Sequence, residues 1–116
     1  MKKLISLVAV IALTSVSSVY ADAANGGTVF KKKGCTACHN PEKDQLAMGL
    51  GPSLKMISAA YKAAGGKDAM LAFMGGNDKP IVAPQKYSVM KPQVKGALKK
   101  ATDAEKGDLA DFILSH

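Results

Sequence analysis

Tryptophan and arginine are absent from this chain of 116 residues, and cysteine occurs only at Cys35 and Cys38. Every cation is a lysine, 16 of them against 9 acids. Beyond Ala21 the only aromatics are Phe30, Tyr61, Phe73, Tyr87 and Phe112. That is thin for a core, and it implies that something other than protein side chains fills part of the interior. No second long apolar run follows the one at the N-terminus, so no further membrane span is expected. No segment alternates apolar and polar residues as a half-buried strand does. Repeats and low-complexity tracts are missing, as is any nucleophile with its base or acid–base pair that would point to catalysis.

The N-terminal run reads as targeting. Lys2 and Lys3 precede an apolar stretch from Leu4 to Val19, softened by Ser6, Thr14, Ser15, Ser17 and Ser18, and Val19-Tyr20-Ala21 resembles a cleavage site. A membrane anchor is the competing reading, because a spanning helix needs about 20 apolar residues. The Ser/Thr content and the cleavage-like site favour a secretory signal peptide over residues 1–21, cut after Ala21 or, alternatively, after Ala23. Residues 22–116 then form a single domain of 95 residues. A chain of this size buries only about 60–65% of its unfolded surface, so extra stabilisation is expected. It carries 14 lysines against 9 acids, a balance of +5. Export argues against nucleic acid as the partner of that charge and leaves an anionic membrane surface or an acidic protein.

Both cysteines lie in Gly34-Cys35-Thr36-Ala37-Cys38-His39. In an exported chain two cysteines ordinarily suggest a disulfide, and Cys-x-x-Cys suggests thiol redox chemistry, but the latter belongs to a strand-helix-strand context that is not visible here. Zinc needs further ligands, and the only other histidine is His116. The adjacent His39 favours covalent haem attachment. On a helical turn, residues three and four apart share a face, so Cys35 and Cys38 can form thioethers while His39 reaches the iron. A large flat cofactor also answers the shortage of aromatics.

A sixth ligand would come from Met48, Met56, Met70, Met74 or Met90. Met56 lies among Leu54, Ile57 and Tyr61 at helical spacing, and Met70 and Met74 are an i, i+4 pair in a second short helical stretch. These three read as core filler. Met48 sits in a Gly-rich loop and stays open as a ligand. Met90 lies in a segment punctuated by Pro80, Pro84 and Pro92 with no clear period, and Lys91 before Pro92 is biased to extended backbone. A non-helical strap carrying Met90 across one face of the haem is the preferred reading.

The order Cys35-x-x-Cys38-His39, Gly51-Pro52-Ser53-Leu54, Met90-Lys91-Pro92 and a closing helix ending Leu109-Ala110-Asp111-Phe112-Ile113-Leu114 resembles the small soluble class I cytochromes c of bacteria, from about Asn25 to His116. The resemblance implies an all-α class I cytochrome c fold, with about four to five short helices wrapped around one covalently attached haem c. It also implies that the carbonyl of Pro52 accepts a hydrogen bond from His39, orienting the imidazole and raising its basicity. Read by itself, Gly51-Pro52 is a helix-starting turn, with Pro52 near the first turn where its missing N–H does no harm. A first helix from near Gly27 to Lys33 would cross the last one, and the spacing of Gly26 and Phe30 against Leu109, Phe112 and Ile113 fits such a crossing. Thr102-x-x-Glu105 is a capping box for the last helix. Gly107 inside that helix costs about 1 kcal/mol relative to Ala and has no evident role.

With His39 and Met90 as axial ligands the iron is closed to substrates and suited to cycling between ferrous and ferric states. The expectation is therefore a soluble periplasmic electron carrier, monomeric, with no nucleic acid, no stable membrane insertion after signal cleavage, and redox protein partners that present acidic docking patches. Lys79, Lys86, Lys91 and Lys95 would form a positive rim if the Met90 segment borders the haem edge. The run Lys31-Lys32-Lys33 reads as a solvated helix end. The alternatives are a haem sensor or peroxidase-like enzyme with a labile sixth ligand, or a thiol oxidoreductase using Cys35 and Cys38.

Overall fold

The computed structural model describes residues 19–76 and 80–116, with side chains from Ala23 onward. The expected signal segment up to residue 18 and Lys79 lie outside the described residues. The described residues form five α-helices and no strand: α1 Val19–Lys32, α2 Leu54–Ala63, α3 Gly66–Met74, α4 Tyr87–Gln93 and α5 Asp103–Leu114. None of them is long and apolar enough to cross a membrane. The all-α fold of about four to five short helices that the resemblance implies is thus what the described residues form.

Helix α1 starts at Val19, well before the expected Gly27. Ala21, Ala23 and Ala24 are strong helix formers, so the helix begins upstream and absorbs Gly26 and Gly27 into its interior. Its sequence face Val29 and Phe30 is buried against α5, whose Leu109, Ala110 and Ile113 are buried in turn. The two helices touch at Gly26: a Cβ there would lie 1.9 Å from the Asp108 carbonyl oxygen and 2.7 Å from Phe112 Cβ. Phe30 and Phe112 meet beside this contact with ring centroids 5.4 Å apart. Burying a side chain of this kind contributes about 1.5–3 kcal/mol, which offsets the two helical glycines.

Local signals set the other boundaries. Gly34, at φ 74°, ends α1 in the left-handed conformation that glycine adopts without strain, and its N–H donates to the Lys31 carbonyl at 3.0 Å. Ser53 caps α2, its Oγ accepting from the Met56 N–H at 3.1 Å. Pro52 therefore stands just outside the helix rather than in its first turn. Thr102 and Glu105 form the capping box at α5: Thr102 Oγ1 accepts from Glu105 N–H at 3.1 Å, and the Thr102 N–H donates to the Glu105 carboxylate at 3.0 Å. That backbone hydrogen bond, with Lys33 and Lys32 nearby, holds the Glu105 carboxyl below its ordinary pKa.

The strap expected around Met90 is helical. A 3₁₀ turn at Pro84–Lys86 runs into α4, which contains Met90, Lys91 and Pro92, and a π-turn at Val94–Leu98 follows directly. Pro84 opens the turn at a position where a fixed φ and a missing N–H are harmless. Pro92 deprives one carbonyl, that of Ser88, of its helical partner. Ser88 is exposed, so water can serve that carbonyl. The cost of one hydrogen bond is then small enough for the helix to continue, while Val94 and Leu98 are buried.

Candidate functional site

Cys35, Cys38 and His39 share one turn. After Gly34 the chain forms a 3₁₀ turn at Cys35–Ala37, and the Cys35 carbonyl accepts from both Cys38 N–H at 3.2 Å and His39 N–H at 3.0 Å. No disulfide joins the two cysteines. All three side chains border one cavity of about 290 Å³. Its walls come from every helix of the domain: Phe30 of α1, Leu54, Ile57 and Tyr61 of α2, Met70, Phe73 and Met74 of α3, Tyr87 and Met90 of α4, Leu109 and Ile113 of α5. Four of the five aromatics that follow Ala21 are thus spent on this wall, and Tyr61, Phe73 and Tyr87 pack along it with tilted rings, at centroid separations of 6.5 and 6.4 Å.

His39 is held by a second segment. Its Nδ1 lies 2.8 Å from the Pro52 carbonyl oxygen, the geometry in which the ring N–H donates and Nε2 is left free. Two backbone bonds bracket this contact: Gly51 N–H donates to the Cys38 carbonyl at 2.9 Å and Leu54 N–H to the Asn40 carbonyl at 3.0 Å. The Asn40 side chain secures the intervening bend by accepting from Glu42 and Lys43 N–H. The sequence gives Gly51 a place in the turn before Pro52 but no contact with His39, yet a Cβ there would fall 2.5 Å from His39 Cε1 and 2.7 Å from Nδ1. The only sequence signal for it is its place directly before Pro52.

The five methionines separate clearly. Met48 is 73% exposed in a 3₁₀ turn and does not border the cavity. Met56, expected in the core, is 38% exposed on the outer face of α2. Met70 and Met74 are buried core residues as well as cavity wall. Met90 borders the cavity and is half-buried. The structure brings Cys35, Cys38, His39 and Met90 to one space, with Pro52 behind the imidazole.

The electrostatics of the cavity are quiet. No carboxylate among the described residues borders it, and its cations are Lys33 and Lys86. Lys91 is exposed on α4 but not part of the wall, and Lys95 belongs to a different cavity, so the expected rim is narrower than four lysines and gains Lys33. Burial pushes the Cys35 thiol above its ordinary pKa, with Cys38 adding to the shift. Thiol oxidoreductases need the opposite, a thiolate favoured at neutral pH. Groups of three or more His, Cys, Asp or Glu able to hold a metal ion are absent among the described residues.

Two thiols and an imidazole on one turn, facing an apolar space walled by aromatics, fit a haem attached through thioethers. A family model described as cytochrome c matches residues 23–116. Comparison with curated proteins and comparison with solved structures both find no match.

Proposed function

Since the chain belongs to the cytochrome c family, we propose that it is an exported, periplasmic carrier of single electrons whose haem iron is held between His39 and Met90. Members of this family bind haem c covalently and carry electrons, and haem c is the cofactor here. Cys35 and Cys38 would hold it through thioethers. When bound, the group supplies an iron that changes by one electron between its ferrous and ferric forms.

The observation that carries the ligand assignment is the placement of Met90. Among the methionines bordering the cavity it is the one outside the buried core, and Met48, the rival, faces solvent. The Pro52 carbonyl fixes the tautomer of His39, so that Nε2 carries the free lone pair and gains basicity. The apolar wall keeps water out and raises the cost of extra charge on the iron, which favours the ferrous form.

Residues 1–21 would direct export and be removed after Ala21 or Ala23. Helix α1 runs through both points, so the mature protein would begin with α1 shortened by a few residues. A monomer that meets redox partners with acidic patches is the form we assign to it.

The ferric and ferrous absorption spectra of Met90→Ala beside wild type test the ligand set. Wild type is expected to be low-spin with a weak band at the red end from sulfur-to-iron charge transfer. Met90→Ala is expected to lose that band and to shift toward high spin, while keeping its colour after acid-acetone extraction. A variant spectrum identical to wild type would remove Met90 from the assignment.

A further inference from the structure

Ala83 has φ 48° and ψ 55°, and among the described residues every other positive φ belongs to a glycine. In that left-handed region the Cβ of an L residue crowds a carbonyl oxygen, a strain that glycine avoids. Pro84 follows, and a proline ring favours extended backbone in the residue before it, which Ala83 does not adopt. Backbone strain of this kind persists only where the surroundings impose it, and it collects at functional sites.

Both sides of the joint face the haem cavity: Pro80 and Val82 before it, Tyr87 and Met90 after it. The Lys86 N–H closes the turn by donating to the Ala83 carbonyl at 2.9 Å, and the turn passes straight into α4. Helix α4 itself is lightly held. None of its residues is fully buried, and its main neighbours are the two turns that flank it. Only Tyr87, which packs on Phe73, and Met90 are half-buried. Elements with so few buried contacts lie at the low end of local stability. The seat of α4 therefore sets the strain at Ala83 against a few contacts and the bond from Met90 to the iron.

We propose that Ala83 is a positioning residue for the sixth haem ligand: its left-handed backbone opposes the seating of α4, and the strain is released when Met90 gives up its place and α4 swings about residue 83. This rests on the assignment of Met90 as the ligand. Ala83 offers no donor to the iron, yet it sets how readily a small nitrogen donor displaces Met90.

The test titrates the ferric holoprotein with imidazole and follows the weak red band from sulfur-to-iron charge transfer, with urea unfolding measured beside it. Ala83→Gly is expected to raise the imidazole concentration at half-displacement about fivefold, because glycine adopts this backbone without strain. Added flexibility alone would lower it, so the sign separates the two causes. Ala83→Val, stiff and β-branched, should shift it the opposite way; if that variant fails to load haem, Ala83→Gly decides. Gly107→Ala is the control, expected to raise the urea midpoint through α5 and to leave the imidazole midpoint unchanged. An imidazole midpoint unchanged or lowered in Ala83→Gly, or raised as much in Gly107→Ala, overturns the role of Ala83 and leaves Met90 as the ligand. A red band that is absent from wild type, or undiminished in Met90→Ala, overturns the ligand assignment and this proposal together.

Discussion

Gly51 carries no side chain, and the His39 ring occupies the space that one would take. An alanine there must either push the imidazole off the Pro52 carbonyl or move the loop that carries both. Gly51→Ala is expected to destabilise the protein by about 1–3 kcal/mol, the usual range for overpacking, and to disturb the low-spin spectrum. Urea unfolding and the ferric absorption spectrum measure the two effects, and a variant matching wild type in both would show that the ring has slack. At this scale the attachment residues were readable because Cys35, Cys38 and His39 are contiguous. The partnership of His39 with Pro52 was readable only through resemblance. The turn at Gly51 was readable but its role against the imidazole was not, because that role lies in a contact across twelve residues of chain that only folding creates.

Two glycines in helices show how the same residue type serves opposite accounts at the scale of elements. Gly26 sits where the backbone of α5 passes, with the Asp108 carbonyl inside any Cβ's radius. At Gly107 a Cβ would meet only Lys67 Nζ at 4.0 Å. Gly26→Ala should therefore separate α1 from α5 and cost about 1–3 kcal/mol or more, whereas Gly107→Ala should stabilise α5 by about 1 kcal/mol. Thermal melting of the two variants checks both, with a shift of about 4–8 °C expected per kcal/mol in a domain of this size. A melting point that Gly107→Ala leaves unmoved would mean that this glycine answers a demand outside the described contacts. The crossing of α1 and α5 is implied by the resemblance, and the spacing of Gly26, Phe30, Leu109, Phe112 and Ile113 agrees with it. The helix at Met90 was not legible, since the proline rule describes the bias of one residue and not the burial of Val94 and Leu98 beyond it, which outweighs that bias.

For the whole molecule the question is where charge stands relative to the site. The wall of the first cavity holds Lys33 and Lys86 and no described carboxylate, so an acidic partner approaching there would be attracted over roughly one Debye length, ~10 Å at 0.1 M salt. Electron transfer to an acidic redox protein is expected to slow several-fold as ionic strength rises from about 0.01 to 0.5 M, within the 10–10³-fold range of electrostatic steering. Lys86→Glu should lower the rate at low salt and flatten the dependence. Stopped-flow kinetics decide it, and a rate that ignores salt would separate these lysines from docking.

What this sequence determines by itself is the chemistry that rests on neighbours in the chain: the Cys35-Thr36-Ala37-Cys38-His39 turn, the cap at Thr102 and Glu105, and the helical class. Such features depend on spacings of three and four, and those survive translation from string to helix. The tertiary structure alone decided which methionines border the cavity and which face water, and that Gly51 makes room for an imidazole. Each of these is a relation between segments far apart in the chain, set by how buried faces of five helices close around one space, and no local pattern encodes it.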